Sequence, residues 1–111
     1  MTRILITGNR GFVGRETTAL LKKENHEVIG YDLMDGQDIC NAKLFEETVL
    51  VHKPDRILHL AATARFAEAD KDPEYAFTNN GLGTKVVAKI AGKNNIPLVY
   101  SSTGSIYMPV E

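Results

Sequence analysis

Apolar residues in this chain collect in four short runs, each bounded by residues that favour turns. The runs are "RILIT" (3–7), "EVIGY" (27–31), "RILHL" (56–60) and "PLVYS" (97–101). Continuous apolarity of this kind is typical of strands that are covered on both faces, as in a parallel sheet. We therefore predict four parallel β-strands at these positions.

Two segments between these runs have apolar residues at helical spacing. The segment "GFVGRETTALLKKENH" places Val13, Leu20 and Leu21 on one side of a helix and charged residues on the other. The segment "NAKLFEETVLVHK" begins with Asn41, a residue type that caps helix N-termini by accepting a hydrogen bond from a first-turn amide. Both segments are therefore predicted to be amphipathic helices.

A third helix is predicted in "DPEYAFTNNGLGTKVVAKIAGKNN", with Asp72 as its cap, Pro73 as its first residue and Gly92 as its stop. Strands that alternate with helices favour right-handed β-α-β connections and a parallel sheet. We expect one domain over residues 1–111 with a Rossmann-like three-layer α/β/α fold. Its short parallel sheet of about four strands would be a truncated doubly wound fold.

The composition indicates a globular protein and argues against several classes of partner. The formal net charge is −1, from 13 basic and 14 acidic residues, so we expect neither nucleic acid nor a membrane surface as a partner. The lone Cys40 excludes an internal disulfide, and no apolar run approaches membrane-spanning length. Because the chain opens directly into an apolar run without the features of a signal peptide, we expect it to be soluble and cytoplasmic.

Three glycines follow the first predicted strand at three-residue spacing: Gly8, Gly11 and Gly14, in "TGNRGFVG". In a dinucleotide-binding loop the first glycine allows a tight turn, the second lets the backbone approach a pyrophosphate, and the third lets the helix pack closely on the sheet. Free amides at the start of the helix attract the phosphates. The alternative is an ordinary turn with incidental glycines, but the strand–turn–helix context favours dinucleotide binding.

Two charged residues bear on the choice of cofactor. Asp32 follows the second predicted strand, where a carboxylate can accept hydrogen bonds from both adenosine ribose hydroxyls and repel a 2′-phosphate, which favours NAD over NADP. The alternative is a solvated loop acid. Arg10, within the glycine loop, can meet either the pyrophosphate or a 2′-phosphate, or it can be an exposed loop charge.

Six segments, taken in order, resemble successive landmarks of one family: "ITGNRGFVG", "YD", "QDI", "KPDRILHLAA", "NGLGT" and "LVYSSTGSIY". Over nearly its whole length the chain resembles the extended short-chain dehydrogenases/reductases. It is most similar to their NAD-dependent epimerase/dehydratase group, whose members mostly act on nucleotide sugars. The resemblance implies NAD as the cofactor, with NADP less favoured, and a nucleotide sugar as the substrate of the complete enzyme.

The resemblance also implies roles for residues of the cofactor site. Phe12 and Val13 would lie along the pyrophosphate, Asp38 would bind the adenine amino group, and Ile39 would pack on the adenine ring. Taken alone, Asp38 and Ile39 look like any polar–apolar pair in a loop. At the end of the third strand, the small residues of the family motif would let the cofactor lie close; here they are Leu60, Ala61 and Ala62. The alternative is that these residues serve packing alone.

Two further roles rest on the family's motifs near the substrate. Asn80 matches the Asn of the family's NxxGT motif, whose side chain would bond to the active-site backbone, although a locally kinked, partly exposed helix is the alternative. Gly81 and Gly83 each cost a helix about 1 kcal/mol relative to Ala, which makes sense if the helix must approach the sheet closely. Thr103 matches the residue whose hydroxyl binds the reacting substrate oxygen in the family, whereas the residues alone favour a turn in which the hydroxyl groups satisfy the strand end.

His59, inside the third strand, is expected to be a core or supporting residue.

Two departures from the family's pattern limit what the chain is expected to do. The family's proton-transfer pair, Tyr-x-x-x-Lys, has no counterpart: none of the four tyrosines is followed by lysine four residues later, and Glu111 holds that place after Tyr107. Only "LMDGQ" separates Asp32 from Asp38, so the strand that the family usually has near the adenine is reduced to almost nothing.

Three functions remain open from the sequence. The first is the cofactor-binding part of a nucleotide-sugar epimerase, dehydratase or reductase. The second is a stand-alone nucleotide-binding module that catalyses no reaction. The third is an interaction protein that uses the open edge of its sheet to bind a partner, which can be a second copy of the chain. We favour the first, with NAD binding that is weaker than in a complete homologue and no sugar turnover by the isolated chain.

Overall fold

The computed structural model describes residues 2–61 and 73–101. For residues 73–79 it describes the backbone and not the side chains. In these ranges the elements are β1 (Arg3–Thr7), α1 (Phe12–Lys23), β2 (Glu27–Tyr31), α2 (Ala42–His52), β3 (Arg56–His59), α3 (Pro73–Lys93) and β4 (Leu98–Tyr100), with a 3₁₀ turn at Leu33–Asp35. The four predicted strands are confirmed. The bounds of β1 and β2 agree with the prediction, β3 ends one residue earlier, and β4 is shorter at both ends.

The four strands form one parallel sheet in the order β2-β1-β3-β4. The chain moves from β1 to one neighbour, β2, and then crosses to the opposite neighbour, β3. With right-handed connections, α1 covers one face of the sheet while α2 and α3 cover the other, where they pack against each other. The predicted three-layer fold is confirmed, and its strand order reverses between β1 and β3, the position where such sheets bind ligands.

The main hydrophobic core lies between the sheet and the pair α2 and α3. At its centre the rings of Tyr31 and Phe45 meet edge to face, with centroids 5.0 Å apart. The Tyr31 hydroxyl donates to the backbone oxygen of Asp38 at 2.7 Å, which satisfies its polar end. Burial, followed by the charge of Asp38, raises the pKa of Tyr31 to about 12, so the hydroxyl remains a donor at neutral pH.

Helix ends follow the sequence signals at some positions and depart from them at others. The side chain of Asn41 accepts a hydrogen bond from Leu44 N at 3.1 Å, so the predicted N-cap is confirmed. Helix α3 begins at Pro73 as expected, whereas Asp72 lies outside the described residues.

The prediction that Gly92 ends α3 is wrong. The helix runs through Gly92 to Lys93, and Asn95 adopts the left-handed conformation with φ 55°. Ile96 N donates to Ala91 O at 2.9 Å and Asn95 N donates to Gly92 O at 3.2 Å, the two bonds of a Schellman motif. Asparagine tolerates this conformation, so the glycine was the wrong residue to take as the stop.

The predicted apolar side of α1 is only partly correct. Leu21 is half-buried, but Val13 and Leu20 are 57% and 59% exposed. The buried residue of this helix is Gly14, where α1 closely approaches the loop after β1. The side of the helix that carries Gly14 and Leu21 therefore faces the sheet. Val13 and Leu20 lie on the next stripe around the helix and stay open to solvent.

The two glycines of "NGLGT" have different surroundings in α3. A Cβ on Gly83 would lie 2.5 Å from Cγ2 of Ile39, so this glycine lets the helix approach the chain that follows β2. A Cβ on Gly81 would have no described atom within 4 Å. The predicted close approach therefore holds for Gly83 and not for Gly81.

This difference predicts opposite effects on stability. Gly81→Ala should raise the free energy of unfolding by up to about 1 kcal/mol, because alanine favours the helix and meets no obstacle. Gly83→Ala should lower it by about 1–3 kcal/mol, because Ile39 is buried and must be displaced. Urea denaturation of the two variants beside the wild type measures both changes. Equal effects would contradict the packing described for Gly83.

Candidate functional site

The loop after β1 lies at the carboxyl edge of the sheet and contacts both neighbouring strands. Gly8 has φ +74°, and its amide donates to Tyr31 O at 2.8 Å on the β2 side. On the β3 side, a Cβ on Gly8 would lie 2.9 Å from Ala61 N and 3.0 Å from the carbonyl carbon of Leu60. The structure thus brings three predicted cofactor residues, Gly8, Leu60 and Ala61, to the point where the strand order reverses.

Gly14 and Gly11 differ in what the fold requires of them. A Cβ on Gly14 would lie 2.1 Å from the carbonyl oxygen of Gly8, so only glycine allows α1 to pack against the loop as it does. Among the atoms that the structure describes, a Cβ on Gly11 would meet only that same oxygen, at the ordinary contact distance of 3.4 Å. Gly11 also has φ −74°, which any residue adopts. The missing side chain at Gly11 therefore leaves open space that packing does not explain.

Within residues 2–61 and 73–101, no side chain caps the amides at the start of α1. Gly11 is the N-cap and has no side chain to cap the helix, and the first turn contains no acidic residue. The first intrahelical hydrogen bond runs from Arg15 N to Gly11 O at 2.9 Å, so the amides of residues 12–14 precede it. Phe12 and Val13 lie beside these amides with exposed side chains. This is the arrangement by which helix N-termini bind anions.

Asp32 is held at the end of β2 by the backbone around it. Its carboxylate accepts from Arg10 N and Met34 N, each at 2.9 Å, and only 8% of the residue is exposed. The interpretation of Asp32 as a solvated loop acid does not fit this burial. A carboxylate has about four acceptor positions, so two remain after the two amides are counted.

Arg10 lies on the outer side of the same loop. Its guanidinium forms an ion pair with Asp35 at 2.7 Å, and both side chains are about half exposed, at 47% and 48%. Exposed pairs of this kind contribute about 0–1 kcal/mol, so Arg10 is not strongly held away from a ligand.

The expected lack of a strand before Asp38 is confirmed, because the 3₁₀ turn Leu33–Asp35 fills this short segment.

Asp38 and Ile39 follow that turn and differ in exposure. Asp38 is exposed, and its carboxylate accepts from Cys40 N at 2.9 Å. Ile39 is 3% exposed and lies in the core against Gly83. Contact of these residues with an adenine base stays a prediction, and the buried position of Ile39 leaves it little surface for a ring.

His59 is buried at the end of β3, as expected of a core or supporting residue. Its Nδ1 lies 2.6 Å from Thr7 Oγ1, its Nε2 lies 3.2 Å from Thr84 Oγ1, and its ring stacks on that of Tyr100. Burial lowers the pKa of His59 to about 4, so the imidazole is neutral at neutral pH. Thr84 in turn donates to the backbone oxygen of Asn80 at 2.6 Å.

Sequence reasoning missed Thr7 and Thr84 and could not test two other positions. Thr7 and His59 are paired in register at the carboxyl ends of β1 and β3, so two polar residues closing neighbouring apolar runs were the available signal. Ala62 and Thr103 lie outside the described residues, and their roles stay predictions.

In the described ranges, no cluster of His, Cys, Asp and Glu could hold a metal ion, and no helix is long and apolar enough to span a bilayer.

The parallel sheet, its strand order and the glycine loop define a Rossmann-type domain. Comparison with known proteins gives the family, because the profile of the NAD dependent epimerase/dehydratase family matches residues 4–111. This chain belongs to that family, as its landmarks predicted, and the match is to the N-terminal portion of longer chains.

Individual relatives agree with this assignment. The chain is 33% identical over 105 residues to a dTDP-4-keto-6-deoxy-D-glucose reductase from Streptomyces niveus, covering 95% of this chain and 36% of the reductase. Its structure is similar to that of the Thermus thermophilus UDP-glucose 4-epimerase complex with NAD, with a TM-score of 0.84 and 26% identity over 92% of this chain and 38% of the epimerase. It is also similar to the Bacillus anthracis dTDP-4-dehydrorhamnose reductase in complex with NADP, with a TM-score of 0.80 and 28% identity over 89% of this chain and 35% of the reductase. The chain thus spans little more than a third of the length of these proteins.

The lowered pKa of His59 predicts a pH dependence of stability. The unfolded chain binds a proton near the ordinary pKa of 6.5, whereas the folded chain does so only near 4. The free energy of unfolding should therefore fall as the pH falls through this window, by about 3 kcal/mol at the lower end from His59 alone. Chemical denaturation of the wild type and His59→Gln across the window isolates this share, since the other titrating groups are common to both. Parallel pH profiles for the two proteins would refute it.

Proposed function

We propose that this chain binds NAD, with the diphosphate of the cofactor held by the amides at the start of α1. The observation that supports this most directly is the space at Gly11, the N-cap of α1, where a Cβ would meet no described atom closer than 3.4 Å, so packing does not require a glycine beside these amides. A diphosphate suits such a cradle, because the amides and the helix dipole both favour negative charge there. The residues present therefore fit the cofactor that the family uses.

Asp32 supports a preference for NAD over NADP. Its two unused acceptor positions suit the two hydroxyls of the adenosine ribose, and its negative charge would repel a 2′-phosphate. Arg10 can still offset this repulsion by leaving Asp35, which is consistent with the presence of both NAD and NADP among the related structures. We propose NAD as the preferred cofactor and NADP as a weaker ligand.

We propose that the larger protein to which this portion corresponds acts on a nucleotide sugar, as the names of its relatives state for them. The NAD that these residues would hold would supply a site for hydride transfer to and from the sugar. Thr103 is proposed to bind the reacting substrate oxygen, and Asn80 to bond the backbone of the active site. The family match favours this function over a separate binding module, while homodimerisation and a cytoplasmic location stay predictions.

The isolated chain is expected to bind the cofactor without turning over a sugar. Proton transfer in the family needs a Tyr-x-x-x-Lys pair, and this sequence contains no tyrosine with lysine at that spacing. The 111 residues supply the groups that bind and orient the dinucleotide.

The Gly11 cradle gives a direct test of NAD binding. Gly11→Ala should keep the free energy of unfolding within about 1 kcal/mol of the wild type, because its Cβ meets no close neighbour. The same variant should lose about tenfold or more in NAD affinity, measured by isothermal titration calorimetry, because the methyl group displaces the diphosphate.

Two other glycines serve as controls for this test. Gly92→Ala, at a position of α3 where a Cβ would meet no described atom within 4 Å, should leave NAD affinity unchanged and raise the free energy of unfolding by up to about 1 kcal/mol, as for Gly81→Ala. Gly14→Ala should lower the free energy of unfolding by about 3 kcal/mol, because its Cβ would overlap the carbonyl oxygen of Gly8. Wild-type NAD affinity in Gly11→Ala would remove the cradle from the cofactor site.

Asp32 gives a separate test of the cofactor preference. Asp32→Ala should raise the affinity for NADP relative to NAD by about tenfold, measured as the ratio of the two dissociation constants in the same variant. The ratio is the proper readout because the variant also loses the hydrogen bonds to Arg10 N and Met34 N, which affects both cofactors. Asp55→Ala, which removes an equal charge near the start of β1, is the matched control. An unchanged ratio would exclude Asp32 from the ribose site.

A further inference from the structure

The hydrogen bonds on the two sides of His59 together decide which ring nitrogen carries the proton. Thr7 Oγ1 accepts from Leu60 N at 3.0 Å and from Ala61 N at 3.1 Å. The Leu60 amide is shared, because it also donates to the backbone oxygen of Thr7 at 3.0 Å. These contacts alone therefore do not decide which partner donates in the 2.6 Å contact between Thr7 Oγ1 and His59 Nδ1.

The other side of the ring completes the assignment. Nε2 faces Thr84 Oγ1 at 3.2 Å, and Thr84 donates its only hydroxyl hydrogen to the backbone oxygen of Asn80 at 2.6 Å. In the bond between the ring and Thr84, Nε2 must therefore be the donor. A neutral imidazole with its hydrogen on Nε2 has none on Nδ1, so Nδ1 accepts from Thr7 Oγ1. Every donor in the chain of hydrogen bonds points the same way, from Thr7 through His59 and Thr84 to Asn80.

This chain of hydrogen bonds joins the parts of the fold that face the candidate cofactor site. At one end it holds the amides of Leu60 and Ala61, whose backbone packs against Gly8. At the other end it reaches the backbone oxygen of Asn80 in α3, through the hydroxyl of Thr84. His59 spans the gap between them from a position that is 1% exposed.

We propose that His59 is a positioning residue for the dinucleotide site, held as the Nε2–H tautomer so that it sets the placement of residues 60–61 relative to Asn80. The proposal rests on the proposed function for its effect on NAD, but the tautomer and the coupling are properties of the ligand-free chain. A residue that only filled space between β3 and α3 would need no fixed proton and no hydroxyl on the facing helix turn. The fixed direction of the bonds separates the two roles.

The first measurement is the tautomer itself in the ligand-free protein. Nitrogen-15 NMR of the histidine side chains at neutral pH should show His59 with an unprotonated Nδ1 and a protonated Nε2. A protonated Nδ1, in either the other tautomer or the imidazolium, would overturn the proposal whatever the chain binds.

The second measurement is the coupling through Thr84, with Thr84→Val and Thr84→Ser as a matched pair. Valine keeps the shape and removes the hydroxyl, whereas serine keeps the hydroxyl. Thr84→Val should shift the backbone amide resonances of Leu60 and Ala61, which follow His59, and should weaken NAD binding about five- to tenfold. Thr84→Ser should restore both toward the wild type.

The outcomes separate this proposal from the proposed function. If the wild type binds no NAD, the proposed function fails, while the tautomer and the amide shifts still decide the role of His59. If NAD binds but the two Thr84 variants have the same amide shifts at residues 60–61 and the same affinity, His59 only fills space and the positioning role is refuted.

Discussion

The close contact between Gly14 and the carbonyl oxygen of Gly8 is the constraint on which the candidate site depends. Even one methyl group on Gly14 would lie 2.1 Å from that oxygen, so the start of α1 is pressed against the turn that leaves β1. Gly14 marks the side of α1 that faces the sheet, whereas Val13 and Leu20 stay exposed. The placement of the first-turn amides, where we propose that an anion binds, and the exposed stripe on α1 thus depend on the same contact.

Polar groups at the carboxyl edge of the sheet extend this arrangement to its neighbours. Asp32, closing β2, bonds the glycine loop through Arg10 N, and Thr7, closing β1, bonds the backbone that follows β3. His59 carries the connection on to α3. Buried polar groups are costly unless they are bonded, and here each bond joins two different elements at the edge where the ligand is proposed to lie. The apolar core holds the layers together, and this polar edge sets their relative positions.

The sequence was sufficient to locate the four strands, because each apolar run became one strand of the parallel sheet. The expectation that all four are covered on both faces is wrong for β4, which lies at the edge of the sheet with Val99 and Tyr100 exposed. The sequence was less sufficient where two residues compete for one structural task. Asn95 rather than Gly92 ends α3, since both tolerate a left-handed backbone and only the hydrogen bonds decide between them. Gly81 and Gly83 are alike in sequence, and their difference depends on Ile39, which lies more than forty positions away. The role of Thr84 needed the positions of two hydroxyls around one buried ring, which no spacing in the sequence reveals.

The most direct test of the whole account is a crystal structure of this chain grown with NAD. The account predicts diphosphate oxygens about 2.7–3.2 Å from the amide nitrogens of residues 12 and 13, with the rest of the cofactor crossing the carboxyl end of β1. A diphosphate bound elsewhere on the chain, or a start of α1 whose amides are met by protein groups in the presence of saturating NAD, would contradict it.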